Sequence, residues 1–265
     1  MEPEAFEKLR LTVEGSIGHL VINVPERRNA LSHRVLEELQ VAAEWFDHQT
    51  SVKVVIVSGA GNHFCRGADV GGDMNPELTI RESLDLGRQM TDRIAAMRPI
   101  TIAELKGNVV GGGFVLSLAC DFRIAANDIS MSLPEAYLGW PLPWGCVPRL
   151  VREVGPQAAK DLILACPVID GPEAFRLGLV RETVLPAELS SAVSRLATEI
   201  AKRPAVVIEI IKRQIAEAAE DMASTTRGQS DMERMLVALA DEEAQQATRE
   251  GLNTVGERFN LSLSE

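Results

Sequence analysis

The chain has 265 residues, 46% hydrophobic and 25% charged, the make-up of an ordinary globule long enough to bury a sizeable core. Its net charge of −11 and isoelectric point near 5.0 argue against a nucleic-acid or anionic-membrane partner, because polyanions attract basic surfaces. No apolar run reaches the length of a membrane span, and the acidic start Met1-Glu2-Pro3-Glu4 is unlike a secretory leader, so the expected compartment is the cytoplasm. Cys65, Cys120, Cys146 and Cys166 are too scattered for a zinc or redox motif; they are read as reduced and mostly buried, and no metal site is expected.

Two alternating runs, Leu9 to Val13 and His19 to Val24, flank Glu14-Gly15-Ser16 and predict a hairpin. Pro25-Glu26-Arg27-Arg28-Asn29 breaks it, and Ser32 caps a predicted amphipathic helix running to about His48, with Val35, Leu36, Leu39, Ala42, Ala43 and Phe46 on its apolar face. Val54 to Val57 reads as a strand buried on both faces, and the stretch from Ser58 to Asp69 as a loop too long and polar for a simple turn. Glu77 to Met97 is helical. The apolar run Ile100 to Leu105 ends in Lys106-Gly107-Asn108, and Gly111-Gly112-Gly113 then leads into apolar residues at helical spacing, which predicts strand, tight turn and helix.

Strands follow at Phe122 to Ala126 and around Met131 to Leu133. Gly145 to Leu164 is helical with an interruption at Gly155-Pro156, Pro172 to Leu177 is a short helix, and Leu179 to Val184 a last strand. From Pro186 almost to the end the chain is helical, broken at Arg203-Pro204 and around Ser224-Thr225. Strands alternating with helices argue for an α/β layer structure over residues 1–200, with residues 201–265 a helical region packed against it or against a neighbouring subunit.

The triple glycine is the most suggestive stretch. At a helix start the first backbone N–H groups lack intrahelical partners and sit at the positive end of the macrodipole, so Gly111-Gly112-Gly113 suits an anion or oxyanion; a close-packed strand–helix crossing needs the same small residues. Nucleotide readings fail. Gly59-Ala60-Gly61 lacks the third glycine of a dinucleotide fingerprint, Phe64 standing in its place, and the triple glycine lacks the Gly-Lys-Ser/Thr of a phosphate-binding loop.

Taken together, Phe64-Cys65-Arg66-Gly67-Ala68-Asp69, the Gly111-Gly112-Gly113 turn into a helix ending Cys120-Asp121, and Leu133-Pro134-Glu135-Ala136-Tyr137-Leu138-Gly139 resemble three motifs of the enoyl-CoA hydratase/isomerase, or crotonase, family. Pro25-Glu26-Arg27-Arg28-Asn29-Ala30-Leu31 is similar to its N-terminal CoA-contacting turn, Gly171-Pro172-Glu173-Ala174 with Gly178-Leu179-Val180 to a late helix–strand junction, and Arg249-Glu250-Gly251 to its C-terminal helix. The resemblance covers nearly the whole chain. It implies a spiral of ββα units, a C-terminal helical region that forms trimers or pairs of trimers, acyl-CoA thioester substrates, and no cofactor beyond the coenzyme A of the substrate itself.

By the same resemblance, the backbone N–H groups of Ala68 and Gly112 form an oxyanion hole, with Gly111 and Asp69 beside them. The family's hydratases hold water between two glutamates. Here the first position is Val115 and the second is Glu135, an arrangement that resembles single-glutamate Δ3,Δ2-enoyl-CoA isomerases. Glu135 is then the proton shuttle of a double-bond isomerisation; its other reading is a solvated helix-start carboxylate, and the resemblance equally admits hydration, decarboxylation or thioester hydrolysis, or acyl-CoA binding without catalysis. Pro143 stands where dienoyl isomerases and 4-chlorobenzoyl-CoA dehalogenases carry an aspartate. Trp140, Leu142 and Trp144 line the acyl pocket or simply pack in the core. Tyr137 either donates a hydrogen bond near Glu135 or packs, and His63 is read as a surface residue. Gly71 and the C-terminal Glu257-Arg258-Phe259-Asn260 lack the family's usual lysines, which leaves Arg27, Arg28 and Arg66 as partners for CoA phosphates or as plain surface charges.

Overall fold

The computed structural model describes residues 5–70, 75, 77–226, 231–259 and 261; Gly71 and Asn260 lie outside them. Strands β1 (Leu9–Glu14) and β2 (Ile17–Ile22) form the expected antiparallel hairpin, turned at Gly15 with φ +61°. From β2 onward the main sheet is parallel, through β3 (Val54–Gly59), β4 (Ile100–Leu105), β6 (Phe122–Ala126) and β8 (Glu182–Val184), in the order β1-β2-β3-β4-β6-β8. Val54 to Val57 are all buried, as a strand covered on both faces requires. Helix α1 (His33–His48) starts at Ser32, whose hydroxyl accepts the Val35 N–H, and packs on α2 (Ile80–Ala96). Thr79 and Glu82 begin α2 with a reciprocal capping box.

A second, smaller ladder is what positions the site. β5 (Asn108–Val110) pairs in parallel with β7 (Ser130–Ser132), and single bridges extend the pair on both sides, Cys65 with Val109 and Met131 with Ile169. The chain thus repeats one motion: a strand to the large sheet, a strand to the small ladder, then a helix. β4, β5 and α3 (Gly112–Ala119) make one such unit, and β6, β7 and α4 (Cys146–Lys160) the next. This is the ββα spiral. The predicted tight turn after Leu105 is therefore corrected, since β5 intervenes before the glycines; three residues are too few to show a strand period.

Beyond α4, which kinks at Gly155 (φ +74°, ψ +167°), come α5 (Gly171–Arg176) and α6 (Leu189–Ala201), the latter packed on β3, β4 and β6. The C-terminal helices are α7 (Ala205–Met222), α8 (Asp231–Ala240) and α9 (Glu242–Arg258). Asp241, accepting the Ala244 N–H, caps α9 and supplies a break that the sequence reading did not mark. α8 packs on α2, and α9 lies against the turn Ala136–Leu138. Among the described residues no helix is long and apolar enough to cross a membrane.

Candidate active site

The loop from Phe64 to Asp69 is stitched between two neighbours. Arg66 N–H donates to Arg28 C=O, Leu31 N–H to Gly67 C=O, and Asp69 N–H to Leu31 C=O, while Cys65 N–H reaches Asn108 C=O and Val110 N–H returns to Cys65 C=O. In the parallel bridge between Leu31 and Ala68, the bonds run through the residues flanking Ala68. Its own N–H therefore points away from Leu31 and makes no hydrogen bond among the described residues. Gly112 opens α3, so its N–H is one of the orphan donors of a helix start and likewise has no partner there.

Glycine allows the two donor loops to meet backbone to backbone. A Cβ on Gly67, where φ is +99°, would lie 2.7 Å from Val110 O and 3.3 Å from Gly112 N. At Gly111, φ is +51° and a Cβ would lie 2.8 Å from a carboxylate oxygen of Glu135, so Glu135 is in contact with the turn that carries Gly112.

Ala68 and Gly112 line one cavity of about 580 Å³ together with Glu135, Val115 and Gly111. Arg66, Asp69, Trp140 and Trp144 also belong to its wall, and the C-terminal helices complete it with Met235, Leu252 and Val255. Glu135 follows β7 through Leu133-Pro134 and precedes the single 3₁₀ turn Ala136–Leu138. One of its carboxylate oxygens is buried with no hydrogen-bond partner among the described residues. Burial, opposed only by its own backbone N–H, pushes the carboxyl up to about 7. The solvated reading of Glu135 is thereby corrected. Val115, one turn into α3, is buried and offers only methyl groups.

Asp69 is buried and holds Arg27 at 2.6 Å and Arg66 at 3.1 Å on one oxygen. Its charge is thus matched within the wall, and Arg27 touches the site through it. Arg28, which reaches Asn108 Oδ1 at 3.4 Å, and the buried Ala30 do not line the cavity. Tyr137 does not either: its hydroxyl bonds Thr254 Oγ1 at 2.6 Å, Arg258 stacks over its ring at 4.5 Å and Phe259 meets it edge-on. Of the two readings of Tyr137, packing is the one the structure shows, with its hydroxyl turned to Thr254 of α9. His63 is half-buried, and its ring is engaged: its Nδ1 accepts the Asn108 N–H at 3.0 Å, and burial, helped by Arg28 and Lys106, lowers its pKa.

Trp140 lines the cavity with its indole N–H held by Thr248 at 3.0 Å. Trp144, at φ +63°, has its carbonyl tied down by Thr91 and Arg149, each at 3.0 Å. Its ring lies where a Cβ on either Gly112 or Gly87 would be, so α2 carries a glycine in its middle to admit the indole. The sequence held a signal for this, because a glycine inside a helical pattern is destabilising unless something packs close. His33, Leu36 and Leu84, also on the wall, carried no signal beyond their place on amphipathic helices.

Residues 12–262 match the model of the family described as enoyl-CoA hydratase/isomerase. A crotonyl-CoA hydratase of Syntrophomonas wolfei is 35% identical over 239 residues, 89% of this chain and 88% of that protein. A short-chain-enoyl-CoA hydratase of Clostridium acetobutylicum is 33% identical, over 77% of this chain and 79% of its own. The crystal structure of an enoyl-CoA hydratase/isomerase from Xanthobacter autotrophicus Py2 superposes with a TM-score of 0.85 at 27% identity, covering 96% of each chain. With its ββα spiral and a family match over nearly its full length, this chain is an enzyme that belongs to the enoyl-CoA hydratase/isomerase family.

Proposed function

We propose that the enzyme moves the double bond of an enoyl-CoA thioester, with Glu135 as its sole proton carrier. Glu135 removes the C2 proton of a 3-enoyl thioester. The electron pair of that C–H bond delocalises into a dienolate, whose oxygen accepts from the Ala68 and Gly112 N–H groups, and Glu135 returns the same proton at C4. The substrate loses nothing and gains nothing. Fixed donors stabilise the charge only as it develops, and one such donor is typically worth about 3–4 kcal/mol of barrier.

The observation that carries this reading is the composition of the wall: Glu135 shares the cavity with apolar Val115, and the other acid among the described lining residues, Asp69, is already neutralised by two guanidiniums. A single carboxylate beside methyl groups is poorly placed to orient and deprotonate water, yet well placed to take and return one proton. A carboxyl raised to about 7 is matched to that task. The test is α-proton exchange in heavy water with 3-hexenoyl-CoA. Glu135→Gln is expected to slow exchange by roughly 10²–10⁴-fold; unchanged exchange would refute the role.

Hydration is the second reading, favoured by the names of the relatives, which are hydratases. Crotonyl-CoA supplied as substrate separates the two, since a hydratase converts it to a 3-hydroxyacyl product and an isomerase leaves it dry. The assembly we infer is a homotrimer or a dimer of trimers. Its support is α7, of which only Ile208 is buried while Val206, Ile210 and Ile215 are 61%, 51% and 65% exposed.

A further inference from the structure

The wall formed by α1 and α2 carries a polar atom that the proton transfer leaves unused. His33 opens α1 directly after the capping Ser32 and is 4% exposed. It lines the cavity beside Leu36, Val70 and Leu84. Its Nδ1 accepts a hydrogen bond from the Asn75 backbone N–H at 2.9 Å, so Nδ1 is the bare nitrogen and the proton of the neutral ring is on Nε2. That Nε2 is buried and has no partner among the described residues. Interiors rarely keep a donor in this state, and a ligand that brings the missing acceptor gains the bond without having to break another.

The wall around His33 tells which part of a ligand reaches it. Leu36, Val70 and Leu84, which share that wall, are apolar, whereas the Arg66 guanidinium is held with that of Arg27 on Asp69. Apolar lining suits an acyl chain and not a phosphate, so with the thioester oxygen on Ala68 it is the acyl chain that His33 meets. The acceptor it takes is uncharged, because the neutral ring offers a donor but no positive charge, and a carboxylate buried among Leu36, Val70 and Leu84 would lose its hydration without a cation to replace it.

The geometry points to His33 as a specificity determinant whose Nε2–H donates to a hydroxyl or keto oxygen on the acyl chain, so that the enzyme selects oxygen-bearing acyl thioesters over alkyl ones of equal size. The assignment rests on the acyl-thioester reading above.

The experiment compares α-proton exchange for two matched pairs, 5-hydroxypentanoyl-CoA with hexanoyl-CoA and 4-oxopentanoyl-CoA with 4-methylpentanoyl-CoA, and adds glutaryl-CoA as the charged control. Wild-type kcat/KM is expected to favour the oxygen-bearing member of at least one pair by about tenfold or more, with glutaryl-CoA disfavoured. His33→Leu is expected to bring that ratio close to one, and His33→Gln, which keeps an N–H donor, to restore part of it. A ratio near one in the wild type, or an unchanged ratio in His33→Leu, overturns the assignment, as does preference for glutaryl-CoA. Should His33→Leu fail to fold, the ¹⁵N resonance of Nε2 in the wild-type protein decides: it must shift with the favoured oxygen-bearing ester and not with its alkyl partner, and equal shifts overturn the assignment. If 3-hexenoyl-CoA, run alongside, does not exchange its α-proton, the enolisation reading fails instead, while the ¹⁵N comparison still judges His33.

Discussion

Glu135 owes its chemistry to its surroundings. An ordinary carboxyl releases its proton near 4.5, whereas Glu135, with a carboxylate oxygen shut away from water, holds it to about 7. Since the base must be ionised to take a proton, kcat/KM is expected to rise with pH up to about 7 and then level off, a profile that rate measurements between pH 5 and 9 will check. The same shift has a stability consequence. Between 4.5 and about 7 the folded chain retains a proton that the unfolded chain has released, so raising the pH through this window draws the equilibrium toward unfolding. Glu135→Gln, which is neutral throughout, is therefore expected to gain stability over the wild type at pH 8 and little at pH 5, as denaturant midpoints will show. His63 illustrates the opposite limit of sequence reading: nothing in its neighbours Asn62 and Phe64 reveals that the Asn108 N–H, 45 residues away, occupies its ring nitrogen.

At the level of elements, the site is built where the loop after β3 and the turn before α3 meet. The glycine-rich start of α3 was legible because glycine and an orphan amide are local properties. β5 was not legible, because its three residues become a strand only through pairing with β7 and the Cys65 bridge. Gly87 belongs to this scale too. Alanine there favours an isolated helix by about 1 kcal/mol, yet its Cβ would collide with the Trp144 indole that also rests on Gly112. Gly87→Ala is expected to displace Trp144, lowering kcat/KM at least tenfold and destabilising the fold by about 1–3 kcal/mol, the usual cost of overpacking. A faster enzyme with a higher melting temperature would mean that the indole has room to move.

Across the whole molecule, the C-terminal helices both wall the cavity, through Met235, Leu252 and Val255, and leave the apolar residues of α7 uncovered in the single chain. If α7 joins subunits, Ile210→Glu with Ile215→Glu is expected to convert a trimer or hexamer to monomer, read directly by light scattering on a sizing column; a wild-type monomer would refute the proposed assembly. The sequence by itself determined the α/β class, the hairpin, the capped α1, the glycine turn and the family, because caps, periodicities and motif order are properties of neighbouring residues. Only the tertiary structure decided that Tyr137 turns to α9, that His63 and Asp69 are held within the scaffold, and that His33 keeps an unpaired donor at the cavity wall. Those outcomes depend on which atoms from distant segments exclude water from a side chain and which supply its hydrogen bond, and no local stretch of chain encodes that partner.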